Sequence, residues 1–189
     1  MRISEHIHFY KELLRDPLAV SAIAPSAPGL ATLMTAGVSP GNGLVMELGA
    51  GTGTLTRALL AKGVAESEIV LVESNPRFAA LLRKQYAQSR IVEGDASKLP
   101  TLLHDVPRQI ATVVSGLPLR SMPRRVIHNI LDGAFRHLRP DGSFYQFTYG
   151  FKCPVPADTL QHLGLRAERV GRVILNAPPA TVYRIELRR

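Results

Sequence analysis

Residues 43–149 alternate regularly between short apolar segments and longer amphipathic ones, and this alternation limits the fold more than any other feature. The predicted strands are 43–48, 68–73, 89–93, 109–115 and 142–149, and the predicted helices are 28–37, 53–63, 75–86, 96–103 and 122–138. Parallel strands need crossover connections, so the alternation predicts a parallel sheet with helices on both faces. Residues 165–175 and 180–188 instead predict two strands joined by NAPPA, an antiparallel hairpin at the sheet edge.

The length of 189 residues predicts one domain spanning 1–189, with an α/β core at 40–189 and a helical extension at 1–37. Cys153 is the only cysteine, which excludes an intrachain disulfide and a cysteine-based metal cluster. The six histidines show no metal-ligand spacing, so no metal is expected. No apolar run has the form of a signal peptide or approaches the ~18 residues of a spanning helix, which predicts a cytoplasmic protein.

The net charge of +8 is concentrated in the C-terminal part of the chain. Residues 1–107 carry 10 Lys and Arg against 10 Asp and Glu, whereas residues 108–189 carry 13 against 5. A one-sided basic surface indicates an anionic partner, which leaves nucleic acid, an anionic bilayer and a phosphate-bearing substrate as candidates. A solvated basic face without a partner is the alternative.

The segment VMELGAGTGTLTRALL, residues 45–60, predicts a strand, a glycine-rich turn and a helix, with Glu47 at the end of the strand. Gly49, Gly51 and Gly53 let the backbone approach a ligand where helix N–H groups point outward. The spacing is G-x-G-x-G, which departs from the G-x-G-x-x-G fingerprint of dinucleotide-binding proteins. The loop therefore predicts a cofactor site of another kind.

Two carboxylates complete this predicted site. Glu73 ends the second strand, 20 residues after Gly53, where a carboxylate can accept hydrogen bonds from both hydroxyls of a ribose. Asp95 follows the third strand, where it can accept from an adenine amino group. The adjacent residues Ser74 and Ala96, together with Ser26 from the segment before the first strand, are further candidates for contact with the cofactor.

With these motifs the sequence resembles the class I S-adenosylmethionine-dependent methyltransferases over about residues 40–150. The resemblance implies a Rossmann-like seven-stranded sheet that ends in an antiparallel hairpin. It also implies that the three glycines wrap the methionine part of S-adenosylmethionine, with Glu47 near its amino group. The alternatives are that Glu47 pairs locally, that Glu73 is a surface residue, and that Asp95 only caps the following helix.

The loop after the fourth strand, SGLPL at 115–119, faces the methyl group in this superfamily. Enzymes that methylate nucleobase amino groups typically carry Asn/Asp-Pro-Pro-Tyr there, and the ribosomal RNA adenine dimethylases carry Asn-Leu-Pro-Tyr. Gly116 and Leu119 occupy the positions of the polar and aromatic residues, so this loop has neither an acceptor for a planar amine nor a stacking ring. It suits an aliphatic primary amine.

The segments FYKELLRDPLAVSAIAPSAPGLA, SGLPLRSMP and QFTYG resemble the bacterial phospholipid N-methyltransferases, which convert phosphatidylethanolamine stepwise to phosphatidylcholine. Such an enzyme would work peripherally at the inner face of the cytoplasmic membrane. We expect attachment to anionic lipid through an amphipathic helix at 3–15 and the basic C-terminal part, and no nucleic-acid partner. A ribosomal RNA adenine dimethylase and a non-catalytic cofactor-binding or membrane scaffold remain the alternatives.

Candidate residues for chemistry lie in and around the acceptor loop. Ser115, Gly116, Leu117, Pro118 and Tyr149 are the predicted catalytic residues. Tyr149 would orient the amine through its hydroxyl and favour a methylated ammonium by cation–π contact. Tyr10, Leu119 and Arg184 are predicted to bind substrate, Arg184 through the lipid phosphate. Packing or surface roles are the alternatives for Tyr10, Tyr149 and Arg184.

Overall fold

The computed structural model describes residues 28–106, 110–174 and 178–188. The helices α1 to α6 are Pro28–Met34, Thr54–Ala61, Pro76–Gln85, Leu99–Leu102, Arg124–His137 and Ala157–His162. The strands β1 to β7 are Leu44–Leu48, Ile69–Glu73, Arg90–Glu93, Ile110–Ser115, Leu138–Thr148, Leu165–Val173 and Ala180–Leu187. Single 3₁₀ turns lie at Glu66–Glu68, Ala96–Lys98 and Leu119–Ser121.

The seven strands form one sheet in the order β3-β2-β1-β4-β5-β7-β6. Strands β1 to β5 are parallel, whereas β7 runs antiparallel to both β5 and β6. This is the Rossmann-like class I methyltransferase sheet with its antiparallel hairpin, so the predicted fold class is confirmed.

The central strands are buried because helices cover both faces of the sheet. Every residue of β2 and of β4 is buried, which explains their continuous apolar composition in place of the alternation typical of half-exposed strands. On one face α5 packs Leu131 and Phe135 against Phe144 of β5. On the other face α1 and α2 supply Met34 and Leu59. The core is thus two apolar layers separated by the sheet.

Most predicted elements differ from the observed ones only by one to three residues at their ends. The helix predicted at 96–103 is a 3₁₀ turn followed by the one-turn helix α4. Strand β5 begins at Leu138, earlier than predicted, because an irregular stretch with a register shift continues directly from α5. Helix α6 lies in a segment for which we predicted no element.

Several predictions concern residues outside the described ranges. These are the helix at 3–15, Tyr10, Ser26 and part of the NAPPA turn, and they stay predictions. Within residues 28–106, 110–174 and 178–188, no helix is long and apolar enough to cross a membrane.

Candidate functional site

The two loops predicted to bind cofactor and acceptor meet at the point where the strand order reverses. Strand β1 lies between β2 and β4, and Leu48 at its end pairs with Ser115 at the end of β4. The Gly116 N–H donates a hydrogen bond to the Leu48 carbonyl at 2.8 Å. Ligands of open α/β sheets bind in the crevice at this reversal, outside the carboxyl ends of the strands. The topology therefore places both loops at one cleft.

The three glycines of the first loop all have positive φ angles, at 70°, 55° and 77° for Gly49, Gly51 and Gly53. They differ in what surrounds them. A Cβ on Gly49 would lie 2.8 Å from Leu117 Cδ2, and one on Gly53 would lie 2.6 Å from the Tyr86 hydroxyl. A Cβ on Gly51 would meet no described atom within 4 Å. Gly51 therefore borders open space, while its neighbours are packed.

Glu73 ties the glycine-rich loop to the start of α3. One carboxylate oxygen accepts from the Gly51 N–H at 2.8 Å and the other accepts from the Asn75 N–H at 2.7 Å. Asn75 in turn caps α3 by accepting from the Arg77 N–H at 2.9 Å. Each carboxylate oxygen has further lone-pair capacity, so these bonds orient Glu73 without preventing it from accepting ribose hydroxyls. With 7% of its surface exposed, Glu73 is no ordinary surface residue.

Glu47 is buried beneath the loop, with 1% of its surface exposed. The Thr56 hydroxyl of α2 donates to its carboxylate at 2.6 Å, which is the local pairing considered as an alternative. Burial raises the pKa of Glu47 to about 8, while the bond from Thr56 and the charge of Arg57 oppose the rise. Because burial disfavours the charged form of Glu47, a nearby cation would stabilise that form strongly. The predicted proximity of Glu47 to the cofactor's amino group is therefore compatible with its position.

The end of β3 lies beside that of β2, since the Gly94 N–H donates to the Glu73 carbonyl at 2.9 Å. Exposed Asp95 caps the following 3₁₀ turn by accepting from the Ser97 N–H at 2.8 Å. The capping alternative is thus observed, and contact with an adenine stays a prediction. Ser74 is exposed and Ala96 is buried.

The chemical types of these residues match the groups of S-adenosylmethionine. The open space over Gly51 admits a ligand close to backbone N–H groups, and Glu73 adjoins it through the Gly51 N–H. Glu47 would face the ammonium group, Glu73 the ribose and Asp95 the adenine. Sequence reasoning missed Thr56, which orients Glu47, and Tyr86, whose hydroxyl donates to the Gly53 carbonyl at 3.4 Å.

The acceptor loop is packed directly on the glycine-rich loop. A Cβ on Gly116 would lie 3.0 Å from the Gly49 carbonyl oxygen, closer than side chains normally come to backbone. Ser115 is fully buried, and its hydroxyl accepts from the Leu117 N–H at 3.4 Å. The absence of a polar side chain at Gly116 therefore matches the lack of space there.

Gln146 of β5 holds the acceptor loop from its other side, and sequence reasoning missed it. Its amide nitrogen donates to the carbonyls of Leu117 and Phe147, both at 2.9 Å. Two carbonyl acceptors fix which end of the amide is the nitrogen. Its oxygen is buried and has no hydrogen-bond partner among the described residues. A polar Gln within the apolar run FYQFTY was the signal available in the sequence, and the structure shows that this Gln is fully buried.

Tyr149 directly follows the last residue of β5 at the same edge of the sheet. Its ring packs edge-on against Phe147, with centroids 5.3 Å apart. The pairing fixes the ring on the face that α1 covers. Its proposed contact with an amine stays a prediction, as do substrate contact by buried Leu119 and the catalytic role of Pro118.

Arg184 has other partners than a substrate phosphate. It pairs across the sheet with Tyr145, three residues before the end of β5. Its guanidinium donates to Glu168 at 2.9 Å and lies 3.2 Å from Glu186. Anion binding by Arg184 would have to compete with these two carboxylates, and its contact with a lipid phosphate stays a prediction.

The described residues contain no group of three His, Cys, Asp or Glu side chains placed to hold a metal ion. The expectation of metal-independent chemistry rests on the sequence and stays an expectation.

Comparison with known proteins agrees with this geometry. A family model described as a methyltransferase domain matches residues 45–142. An ornithine lipid N-methyltransferase from Singulisphaera acidiphila is 32% identical over 145 residues, covering 74% of this chain and 76% of that protein. A ribosomal RNA small subunit methyltransferase A from Synechococcus is 36% identical over 113 residues, which cover 58% of this chain and 36% of the other.

Solved structures show the same fold at low identity. A TehB-like methyltransferase from Corynebacterium glutamicum has a TM-score of 0.65 and 16% identity, with 98% of this chain and 100% of that one covered. The glycopeptide N-methyltransferase MtfA, solved with S-adenosylmethionine, has a TM-score of 0.61 and 16% identity over 85% of this chain and 94% of its own.

Proposed function

The chain belongs to the class I S-adenosylmethionine-dependent methyltransferases, and from that premise we propose that it methylates the primary amine of a membrane aminolipid. The preferred substrate in this proposal is phosphatidylethanolamine, with its mono- and dimethyl derivatives, toward phosphatidylcholine. The relative from Singulisphaera makes ornithine lipid the second candidate, since that lipid also presents an aliphatic amine.

The observation that carries the proposal is the contact between the two loops. A Cβ on Gly116 would lie 3.0 Å from the Gly49 carbonyl oxygen, so this position has no side chain that could accept a hydrogen bond from a planar amine. Leu119 is buried and aliphatic, so the loop has no ring on which a base would stack. A flipped base would lose contacts worth roughly 1–3 kcal/mol each, whereas an alkylamine needs neither.

When bound, S-adenosylmethionine would supply an activated methyl group for transfer to the amine, and Glu47, Gly51 and Glu73 are the residues that would hold it. The protein's part is to orient and to exclude water. Gln146 holds the acceptor loop through Leu117, and Gly116 fixes that loop against β1. We assign Tyr149 to orient the amine, which must be neutral to react although alkylamines have a pKa of ~10.4.

The same proposal places the protein at the inner face of the cytoplasmic membrane. The excess of 13 basic over 5 acidic residues in 108–189 supports attraction to anionic lipid. The segment 3–15, which lies outside the described residues, would supply the amphipathic anchor.

The test is methyl transfer from radiolabelled S-adenosylmethionine to vesicles of phosphatidylethanolamine, with ornithine lipid vesicles and total RNA as parallel acceptors. We expect labelled mono-, di- or trimethylated lipid after thin-layer chromatography. Label only in RNA would establish the nucleic-acid alternative, which the similarity to ribosomal RNA methyltransferases keeps open. No label in any acceptor, despite cofactor binding, would favour a scaffold.

A further inference from the structure

A cavity of about 410 Å³ lies beside the acceptor loop and has a basic rim. Its charged lining residues are Arg120, Arg124 and Lys152. Arg120 directly follows the acceptor loop, and Lys152 lies in the segment that leaves β5 after Tyr149. The cavity is therefore bounded by the two chain segments that flank the proposed amine site, and no acidic side chain is among its described lining residues.

The three cationic side chains of this cavity differ in whether they already form an ion pair. Arg124 forms an ion pair with Asp158 of α6. Arg120 and Lys152 are exposed and have no ion pair with a described residue. A guanidinium nitrogen of Arg120 lies 2.5 Å from where a Cβ on Gly150 would be, so glycine at that position leaves room for it. The same Cβ position on Gly150 is 3.8 Å from the Thr148 hydroxyl oxygen. This hydroxyl is buried and has no hydrogen-bond partner among the described residues.

The start of α5 adds an electrostatic argument. Helix N-termini carry partial positive charge and favour acidic residues, yet α5 begins with Arg124 and Arg125 and has no acidic residue in its first turn. Its N-cap is Pro123, which supplies no side-chain hydrogen bond. Positive charges are thus concentrated at a point where a bound anion would reduce their mutual repulsion. Departures of this kind from local sequence preference are expected at functional sites.

The rest of the cavity wall is apolar. The other described lining residues are Met122, Ile127, Cys153, Pro154 and Pro156. A site that combines a basic rim with an apolar wall suits an anion attached to a hydrocarbon better than a free ion or a chain of nucleotides.

We infer that this cavity binds the acidic group of the aminolipid headgroup, with Arg120 and Lys152 as its direct ligands and the start of α5 as electrostatic support. The inference rests on the proposed function. It requires the anion to be close to the amine. In phosphatidylethanolamine two carbons separate the phosphate oxygen from the amine. Ornithine lipid carries a carboxylate on the same amino acid as its amine. Both lipids therefore have an anion close to the amine.

Methylation kinetics in neutral-detergent mixed micelles test the inference on the full chain. The variants are Arg120→Gln and Lys152→Gln, and the matched control is Arg169→Gln, which removes an equal charge from an exposed residue of the same basic C-terminal part outside the cavity. The acceptors are phosphatidylethanolamine, ornithine lipid and dodecylamine, an alkylamine without an acidic group.

We expect kcat/KM on the acidic lipid to fall about ten- to a hundredfold in each cavity variant, as expected for a lost charge-assisted hydrogen bond, mainly through KM. Rates on dodecylamine should change less than about threefold, and Arg169→Gln should retain lipid activity. The lipid that responds more strongly identifies the anion, phosphate or carboxylate.

Three results would overturn the inference. Equal losses in the control and cavity variants would mean general attraction to an anionic surface. Unchanged kinetics in both cavity variants, with an active parent protein, would mean that the cavity does not bind the headgroup. If the parent protein methylates neither lipid but labels RNA, the proposed function itself fails, and the inference fails with it.

Discussion

Replacing Glu47 with Gln should make the protein's stability less dependent on pH. The carboxyl is buried, and its pKa is raised from the ordinary 4.5 to about 8. Below pH 4.5 the folded and unfolded chains both hold this proton. Between pH 4.5 and pH 8 only the folded chain holds it, so a rise in pH favours unfolding. Above pH 8 both have lost it, and the folded chain carries the full cost of a buried charge.

The magnitude follows from that window. Each pH unit between the two values lowers the free energy of unfolding by about 1.4 kcal/mol, which amounts to ~5 kcal/mol over the whole range. The Gln variant has no proton to lose. Its amide can still accept from Thr56, although its buried NH₂ group adds a penalty of about 1–3 kcal/mol that does not vary with pH.

Urea unfolding of both proteins from pH 5 to pH 8.5 measures this effect. We expect the free energy of unfolding of the parent protein to fall relative to Glu47→Gln by about 1.4 kcal/mol per pH unit, and the difference to level off above pH 8. Other titrating groups cancel in the difference. Glu68→Gln, the same change at a partly exposed carboxylate, is the control. Parallel curves for Glu47→Gln and the parent would refute the raised pKa.

The same variant tests the role of Glu47 toward the cofactor. If this carboxylate faces the ammonium group, binding near pH 7 must release the Glu47 proton, because the attraction needs the charged form. Calorimetry with S-adenosylhomocysteine in buffers of different ionisation enthalpy should show proton release by the parent protein and none by the variant. Equal proton release by the two would place the ammonium elsewhere.

Three further substitutions probe the cleft. Gly51→Ala should cost about 1–2 kcal/mol of stability because φ is +55°, and should sharply weaken cofactor binding in calorimetry, since its methyl enters open space. Gly164→Ala, at φ +64° and equally open, should cost the same stability and leave cofactor affinity unchanged. Glu73→Gln should place an amide NH₂ against one of two backbone donors, so thermal unfolding should reveal a loss of about 1–3 kcal/mol along with weaker cofactor binding. Gln146→Leu should remove the hydrogen bond that holds Leu117 and lower kcat at least tenfold. The dissociation constant of the cofactor should change less than about twofold. A weaker cofactor complex with normal kcat would contradict a positioning role for Gln146.

The elements and the cofactor loop were predictable because their signals are local. Continuous apolar composition marked β2 and β4, which are buried on both faces. Glycine spacing marked Gly49, Gly51 and Gly53, all of which adopt positive φ angles. A backbone conformation restricted to glycine leaves its trace at the residue itself.

The residues that were missed act through distant partners. Tyr86 contacts the backbone of Gly53, 33 positions away, and Gln146 holds Leu117, 29 positions away. Neither partner follows from spacing. Arg184 was predicted as a phosphate ligand for the same reason. The sequence places it on the last strand but does not show that Glu168 and Glu186 form ion pairs with it.

The contact of Gly116 with the Gly49 carbonyl also bears on redesign of this scaffold. Introducing an Asn at Gly116 and a Tyr at Leu119, to direct the enzyme toward a nucleobase, would force the backbone at Gly49 to yield by a few tenths of an ångström. Leu117 of the acceptor loop lies 2.8 Å from where a Cβ on Gly49 would be, so the shift reaches both loops. Acceptor preference and cofactor affinity are therefore epistatic, and a change of substrate class would require mutations in both loops together.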